Sequence, residues 1–291
     1  MTEQEMENTQ RITEENIMLS FLSVLASAND FYGYQQKVPT EIIKEALKES
    51  LPLSEEDTRI VEGKRGTKVD RVIRNLASHD KPVKRGYAIR NKDGWQITEK
   101  GKDILLDVLI SEIGFSPDFD ELEQNPRSID YNLISSAQKE EEDVTRLTEN
   151  NILDDFIFVL IRADHFYKAK GEDDKFIPTS TIKNILKHHL PLTEEDIKPL
   201  KNRKDTKVDQ VIRNLASHDT PVKRGYATRN KDGWQVSEKG KDFILSIFLK
   251  KFGIQYDFED ISNKIQDKKE ADWRKNLKQY QKPAKKNKTK P

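Results

Sequence analysis

Residues 67–103 recur at 206–242 with a constant offset of 139, and only five of these 37 positions differ: Arg71/Gln210, Lys81/Thr220, Ile89/Thr228, Ile97/Val236 and Thr98/Ser237. A block carried twice at this fidelity constrains the chain more than any other feature, because whatever one copy folds into the other must fold into as well. The likeness fades outward. Eleven of 27 positions match between 40–66 and 179–205, and 10 of 21 match between 12–32 and 147–167, where the offset has dropped to 135. Four extra residues around Gly171-Glu172-Asp173-Asp174 account for the change. Beyond the block, Asp118-Phe119 and Asp257-Phe258 still correspond. Each copy is about 110 residues, a normal size for one domain. The expected layout is a first domain over 12–121, an acidic flexible linker over 122–145, a second domain over 146–266 and a basic disordered tail over 267–291.

Within a copy the pattern changes from helical to strand-like period. Thr13-Glu14-Glu15 starts a helix whose apolar positions are Ile17, Phe21, Val24 and Leu25, expected to end near Ala28. Pro39-Thr40 opens a second, with Ile43, Ala46 and Leu47. Ser54-Glu55-Glu56-Asp57 marks a short helical turn, and Thr67 caps a third helix through about Ser78 with Val69, Val72, Ile73, Leu76 and Ala77 on one face. Val83 to Arg90 then reads as a strand, Asn91-Lys92-Asp93-Gly94 as a turn and Trp95-Gln96-Ile97-Thr98 as the returning strand. A final helix carries Ile104, Leu105, Val108 and Leu109. The expected fold class is α+β, mainly helical: two tandem winged helix-turn-helix domains, each with a short β-hairpin wing. Trp95 and Trp234 are expected to pack rather than to stack on bases.

The 51 Lys and Arg balance 51 Asp and Glu, which at first argues against a polyanionic partner. The charge is sorted along the chain, however. Residues 64–102 carry a net +8, 201–241 a net +6, 112–150 a net −8 and 268–291 a net +8. Local potential is what a phosphate backbone meets. If the third helix buries its apolar face, the opposite face shows Lys68, Arg71, Arg74, Asn75 and Ser78, with His79 at its end, and in the second copy Lys207, Gln210, Arg213, Asn214, Ser217 and His218. Arg suits guanine O6 and N7, and Asn suits adenine N6 and N7, so Arg74, Asn75, Arg213 and Asn214 are the base-edge candidates. Lys84, Arg85, Arg90 and Lys92, with Lys223, Arg224, Arg229 and Lys231, are expected on the hairpin, bonding phosphates or entering the minor groove.

Other chemistries find little support. There is no cysteine, so disulfides and thiolate sites are excluded. None of His79, His165, His188, His189 and His218 stands in a metal-ligand spacing, and no Gly-rich phosphate loop appears. Glu62-Gly63-Lys64 matches half of a metal-dependent nuclease motif, but becomes Lys201-Asn202-Arg203 in the second copy. No catalytic residue, cofactor or metal is expected. The acidic start Met1-Thr2-Glu3-Gln4-Glu5 does not read as a secretion signal, and no apolar run of membrane-spanning length occurs. A cytoplasmic protein whose partner is double-stranded DNA is the expectation. The alternative is a protein–protein interaction module, since winged helices also dock proteins. RNA fits less well, because the deep narrow A-form groove does not admit a helix.

The runs Leu51-Pro52-Leu53-Ser54-Glu55-Glu56-Asp57, Lys68-Val69-Asp70-Arg71-Val72-Ile73-Arg74-Asn75-Leu76, Lys84-Arg85-Gly86-Tyr87 and Trp95-Gln96-Ile97-Thr98-Glu99-Lys100-Gly101 resemble the N-terminal winged-helix domain of Mrr-type restriction proteins. Leu190-Pro191-Leu192-Thr193-Glu194-Glu195-Asp196 and Trp234-Gln235-Val236-Ser237-Glu238-Lys239-Gly240 repeat the likeness, which covers about 60 residues per copy. The resemblance implies recognition of DNA, including modified DNA, for a nuclease. Here a second copy stands where the nuclease would follow, and Ser78-His79-Asp80-Lys81-Pro82 replaces the family's usual Gly-Leu step. It therefore implies DNA reading without cleavage, as a transcriptional regulator or as the target-recognition part of a restriction or defence system acting with a separate nuclease or other subunit.

Overall fold

The computed structural model describes residues 13–34, 36–60, 66–114, 117, 119, 147–190, 192–201, 203 and 205–280. The expected linker, Glu62-Gly63-Lys64 and the last eleven residues of the expected tail lie outside them. The described residues are mainly helical α+β, with two small antiparallel two-stranded sheets. In the first repeat the order is α1 (Met18–Tyr32), α2 (Thr40–Ser50), α3 (Glu55–Thr58), α4 (Lys68–Ser78), α5 (Lys81–Lys84), β1 (Ala88–Asn91), β2 (Gly94–Ile97) and α6 (Glu99–Ile113). The second repeats it as α7 (Leu153–Ala169), α8 (Thr179–His189), α9 (Glu194–Ile197), α10 (Lys207–Ser217), α11 (Thr220–Lys223), β3 (Ala227–Arg229), β4 (Trp234–Val236) and α12 (Glu238–Lys251), followed by α13 (Phe258–Tyr280). Among the described residues no helix is long and apolar enough to cross a membrane.

Local chemistry explains most of these boundaries. A capping box opens α4: the Asp70 amide donates to Thr67 Oγ1 at 3.2 Å and the Thr67 amide to Asp70 Oδ2 at 3.0 Å. Thr206 and Asp209 repeat it on α10, and Ser54/Asp57 and Thr193/Asp196 do the same for α3 and α9. Asp70 also meets Lys48 Nζ at 2.6 Å. Burial pushes its carboxyl up, but Lys48 and the Thr67 donors outweigh that and hold it at about 2. The first helix overruns its expected end near Ala28 and continues to Tyr32, since Asn29 is buried and satisfied: its Oδ1 accepts from the Ile97 amide at 3.0 Å and its Nδ2 donates to the Gln36 carbonyl at 2.9 Å.

Two expectations are corrected. The strand expected over Val83–Arg90 is a helical turn, α5, followed by a strand that begins only at Ala88. Asp80 adopts the left-handed conformation at φ 50°, breaking α4 from α5, and Pro82 sits in the first turn of α5, where its missing N–H costs nothing. The expected disordered tail is helical as far as Tyr280. No Gly or Pro interrupts 258–280, and Asp260–Lys264 at 2.5 Å and Glu270–Arg274 at 3.2 Å brace it at i,i+4 spacing.

Each hairpin gains a third partner. Val38 and Trp95 exchange backbone hydrogen bonds at 2.8 and 2.9 Å, and Ile177 and Trp234 do so at 2.7 and 2.9 Å. The close approach requires glycine beside it: a Cβ on Gly94 would lie 2.2 Å from the Val38 carbonyl oxygen, and one on Gly233 2.1 Å from that of Ile177. Trp95 and Trp234 are fully buried, each meeting a phenylalanine edge-on (Phe21 and Phe156) at 5.1 Å, and their Nε1 groups donate to Thr40 and Thr179. They are packing residues, as expected.

The described residues form two compact units, and these differ from the repeats. One holds those of Met1–Gly101 and Phe252–Pro291, the other those of Lys102–Lys251. The first repeat gives its residues from Lys102 on to the unit that holds the second repeat's N-terminal helices, and the second gives those from Phe252 on, past α12, to the unit that holds the first repeat's. Phe119, from the first repeat, is buried against Phe166 and Tyr167 with ring centroids 5.0 and 6.0 Å away. Phe258, from the second, is buried against Phe31 and Tyr32 at 5.5 and 6.0 Å.

The repeats also diverge inside matching elements. Asp155 on α7 stands where the first repeat has Ser20. Burial, with Asp154 adding to it, pushes the Asp155 carboxyl up to about 6. A raised acid stabilises the fold only while protonated, so its contribution is complete below about pH 4 and lost as pH rises through 6. Asp155→Asn is therefore expected to raise stability by about 1–2 kcal/mol at pH 7.5, allowing for partial solvation, and by nothing at pH 4. Urea denaturation at the two pH values checks this, and equal effects at both would refute it.

Candidate nucleic-acid interface

The matched surface centres on α4 and α10. Burying Val69, Ile73, Leu76 and Ala77 turns Arg74 and Ser78 fully outward and leaves Arg71 and Asn75 half-buried at the edges of the exposed face. The second copy buries Val208, Ile212, Leu215 and Ala216 and presents Arg213 and Ser217, flanked by Gln210 and Asn214. The serines fold back on their own helices, Ser78 Oγ donating to the Asn75 carbonyl at 3.2 Å and Ser217 Oγ to that of Asn214 at 3.1 Å. After each helix the chain turns through α5 or α11, which expose Lys84 and Lys223, and the hairpin tips expose Lys92 and Lys231. Val83 and Val222 are also exposed there. Val83, a strand residue by its sequence pattern, lies instead on this surface, which it shares with the identical Val222.

Several expected contact residues are held within the protein. Lys68 Nζ lies 2.9 Å from Asp57 Oδ1 and Lys207 Nζ 2.6 Å from Asp196 Oδ1, so each lysine ties its helix to the preceding short one. Arg90 donates to the Ala77 carbonyl at 2.5 Å, pairs with Asp80 at 3.1 Å and lies over the Trp95 ring at 5.0 Å. Arg229 repeats this with Ala216 at 2.6 Å, Asp219 at 2.7 Å and Trp234 at 4.7 Å. These two arginines cap the carbonyl ends of α4 and α10, and their guanidiniums are committed there.

Residues before α1 and α7 supply further partners. His79 pairs with Glu14 and His218 with Glu149, each at 3.1 Å, and Lys81 also reaches Glu14 at 3.2 Å. Arg85 meets Glu15 at 2.8 Å, whereas Arg224 donates to the neutral Asn150 at 2.9 Å. Arg213 pairs with Asp205 at 2.6 Å, where the first repeat has Gly66. The copies thus share a shape but not a charge distribution. The first is more basic on its helix, through Arg71 against Gln210. Beside α11, among the described residues, Arg224 has a hydrogen bond to a neutral partner and only the more distant charge of Asp154, where Arg85 has the Glu15 ion pair. Comparison with protein-family models, with curated proteins and with solved structures finds no match for this chain.

Proposed function

We propose that this chain binds double-stranded DNA through two winged helix-turn-helix modules, each laying α4 or α10 in the major groove and its hairpin along the backbone. The observation that carries the reading is the duplicated surface. Arg74, Asn75, Lys84 and Lys92 and their counterparts Arg213, Asn214, Lys223 and Lys231 stand outward or at the edge of an outward helix face in both copies, although no core requirement keeps them alike. Arg74, Asn75, Arg213 and Asn214 read base edges. Lys84, Lys92, Lys223, Lys231 and the exposed Arg224 neutralise phosphates. The Arg71/Gln210 difference gives the two half-sites related but unequal sequences. Recognition without catalysis suits a transcriptional regulator or the targeting part of a restriction or defence system that works with a separate nuclease, and the resemblance to Mrr-type proteins favours the latter.

Fluorescence anisotropy with random duplex DNA, unmodified and methylated, tests the reading across a salt series. Six or more phosphate contacts make affinity fall by roughly three decades or more between 50 and 200 mM salt. Absence of binding at low salt would refute DNA recognition, and a preference for methylated duplex would identify modification as the signal read.

A further inference from the structure

We infer that the partner surface of each repeat is the other copy of the repeat, through a reciprocal exchange of C-terminal segments, so that the two halves hold together without the peptide that joins them. Two independent sets of contacts carry this. The first is aromatic. Phe119 and Phe258 are equivalent residues, as are the Phe31-Tyr32 and Phe166-Tyr167 pairs that receive them. Each phenylalanine packs on the pair belonging to the other repeat, and the Phe-to-Tyr centroid distance is 6.0 Å in both cases. A hydroxyl contact of 3.0 Å between Tyr32 and Ser262 and an ion pair of 3.2 Å between Lys264 and Glu49 add to the first of these seats.

The second set is ionic and joins the first turns of α6 and α12. Lys102 and Asp103 are equivalent to Lys241 and Asp242. Lys102 Nζ lies 2.5 Å from Asp242 Oδ1, and Lys241 Nζ lies 3.0 Å from Asp103 Oδ1. Residue i of one copy meeting residue j of the other, while j of the first meets i of the second, is the contact pattern of a two-fold homodimer interface. Both lysines are nearly inaccessible, at 5% and 3% side-chain exposure. Buried ammonium groups persist only where carboxylates compensate them, and here the other repeat supplies one to each lysine, Asp242 to Lys102 and Asp103, alongside Asp164 and Glu238, to Lys241.

The two interfaces draw on both ends of each half, so cutting between the repeats leaves every one of these contacts in place. The test uses the full chain with a protease site inserted within 122–145, cleaved after purification. Size-exclusion chromatography with light scattering at low micromolar concentration should show both fragments in one particle of the intact mass, 33.8 kDa before insertion of the site, parting only in denaturant. Fragments that elute apart as independent domains would overturn the inference. In the cleaved protein, Lys102→Asp should weaken association of the halves at least tenfold, and adding Asp242→Lys should restore it. Failure of the second change to rescue the first would remove the ionic contacts from the argument. These readouts involve no nucleic acid, so their outcome is separate from that of the DNA-binding reading.

Discussion

Replacing Lys241 by methionine is expected to destabilise the chain by about 3–5 kcal/mol at neutral pH, the range found when one partner is removed from a buried ionic cluster. Its ammonium group lies 3.0 Å from Asp103, 3.3 Å from Asp164 and 3.4 Å from Glu238. His165 and Lys168 complete the cluster. The His165 Nδ1 is 2.5 Å from Asp107 and its Nε2 3.6 Å from Asp103, while Lys168 reaches Asp164 at 2.9 Å and Asp103 at 3.7 Å. Burial alone would raise the Asp103 carboxyl, but the His165 hydrogen bond and the Lys241 charge outweigh it and hold the acid well below the usual range. Burial likewise works to lower the His165 imidazolium, and Asp103 and Asp107 overcome it and raise it.

Methionine keeps the aliphatic volume and deletes the charge, leaving two enclosed carboxylates short of a partner. The pH dependence gives the result its signature. Stability from a depressed carboxylate is present above the unfolded value near 4 and is lost as pH falls through the folded one. The gap between wild type and Lys241→Met should therefore be widest near neutrality and should narrow below about pH 4, where the stranded acids protonate. Urea denaturation at pH 7 and pH 3.5 measures it. A loss under 1 kcal/mol at pH 7 would show that water, not Lys241, compensates the carboxylates.

The double variant Arg74→Ala/Arg213→Ala is expected to weaken duplex binding by roughly two to four decades while costing no more than about 1 kcal/mol of stability, the contribution of an exposed ion pair such as Arg213–Asp205. A base-reading arginine contributes about 1–3 kcal/mol. Both side chains are on the exposed helix face, so truncation removes no core packing. Each single change should cost less than half of the total, because the intact module keeps the weakened one at high effective concentration. Lys92→Ala and Lys231→Ala supply the contrast. Those residues stand at the hairpin tips, and losing each should lower affinity for all sequences alike and reduce the salt slope by about one. Unchanged affinity of the double arginine variant would remove α4 and α10 from the interface.

Most of the secondary structure was legible because its causes are local. The capping boxes at Thr67/Asp70 and Thr206/Asp209, the apolar face of α4 and the Asp93-Gly94 turn are set by residues within four positions of one another. The strand wrongly expected from Val83 shows the limit of that reasoning. Its alternation of Val83 and Tyr87 with charged residues fits a strand, but the left-handed Asp80 and the placement of Pro82 start a helical turn instead. The site was half legible. Sequence put Lys68, Arg90 and His79 on the binding face because they are polar and duplicated, and could not show that Asp57, Asp80 and Glu14 engage them.

The sequence by itself determined that there are two equivalent folding patterns, where their capped helices begin, and which surface they share, because repetition and local hydrogen bonding fix those. Only the tertiary structure decided which charges remain for a ligand and which repeat completes which core. Glu14 and Glu15 reach His79 and Arg85 across 65 and 70 residues, a pairing no local pattern encodes. The exchange was illegible for a deeper reason. Phe119 and Phe258 are the same residue type facing two near-identical aromatic pairs, so self-packing and exchanged packing satisfy the sequence equally. The choice between them rests on chain connectivity and on the mutual burial of Lys102 and Lys241 against the other repeat's aspartates.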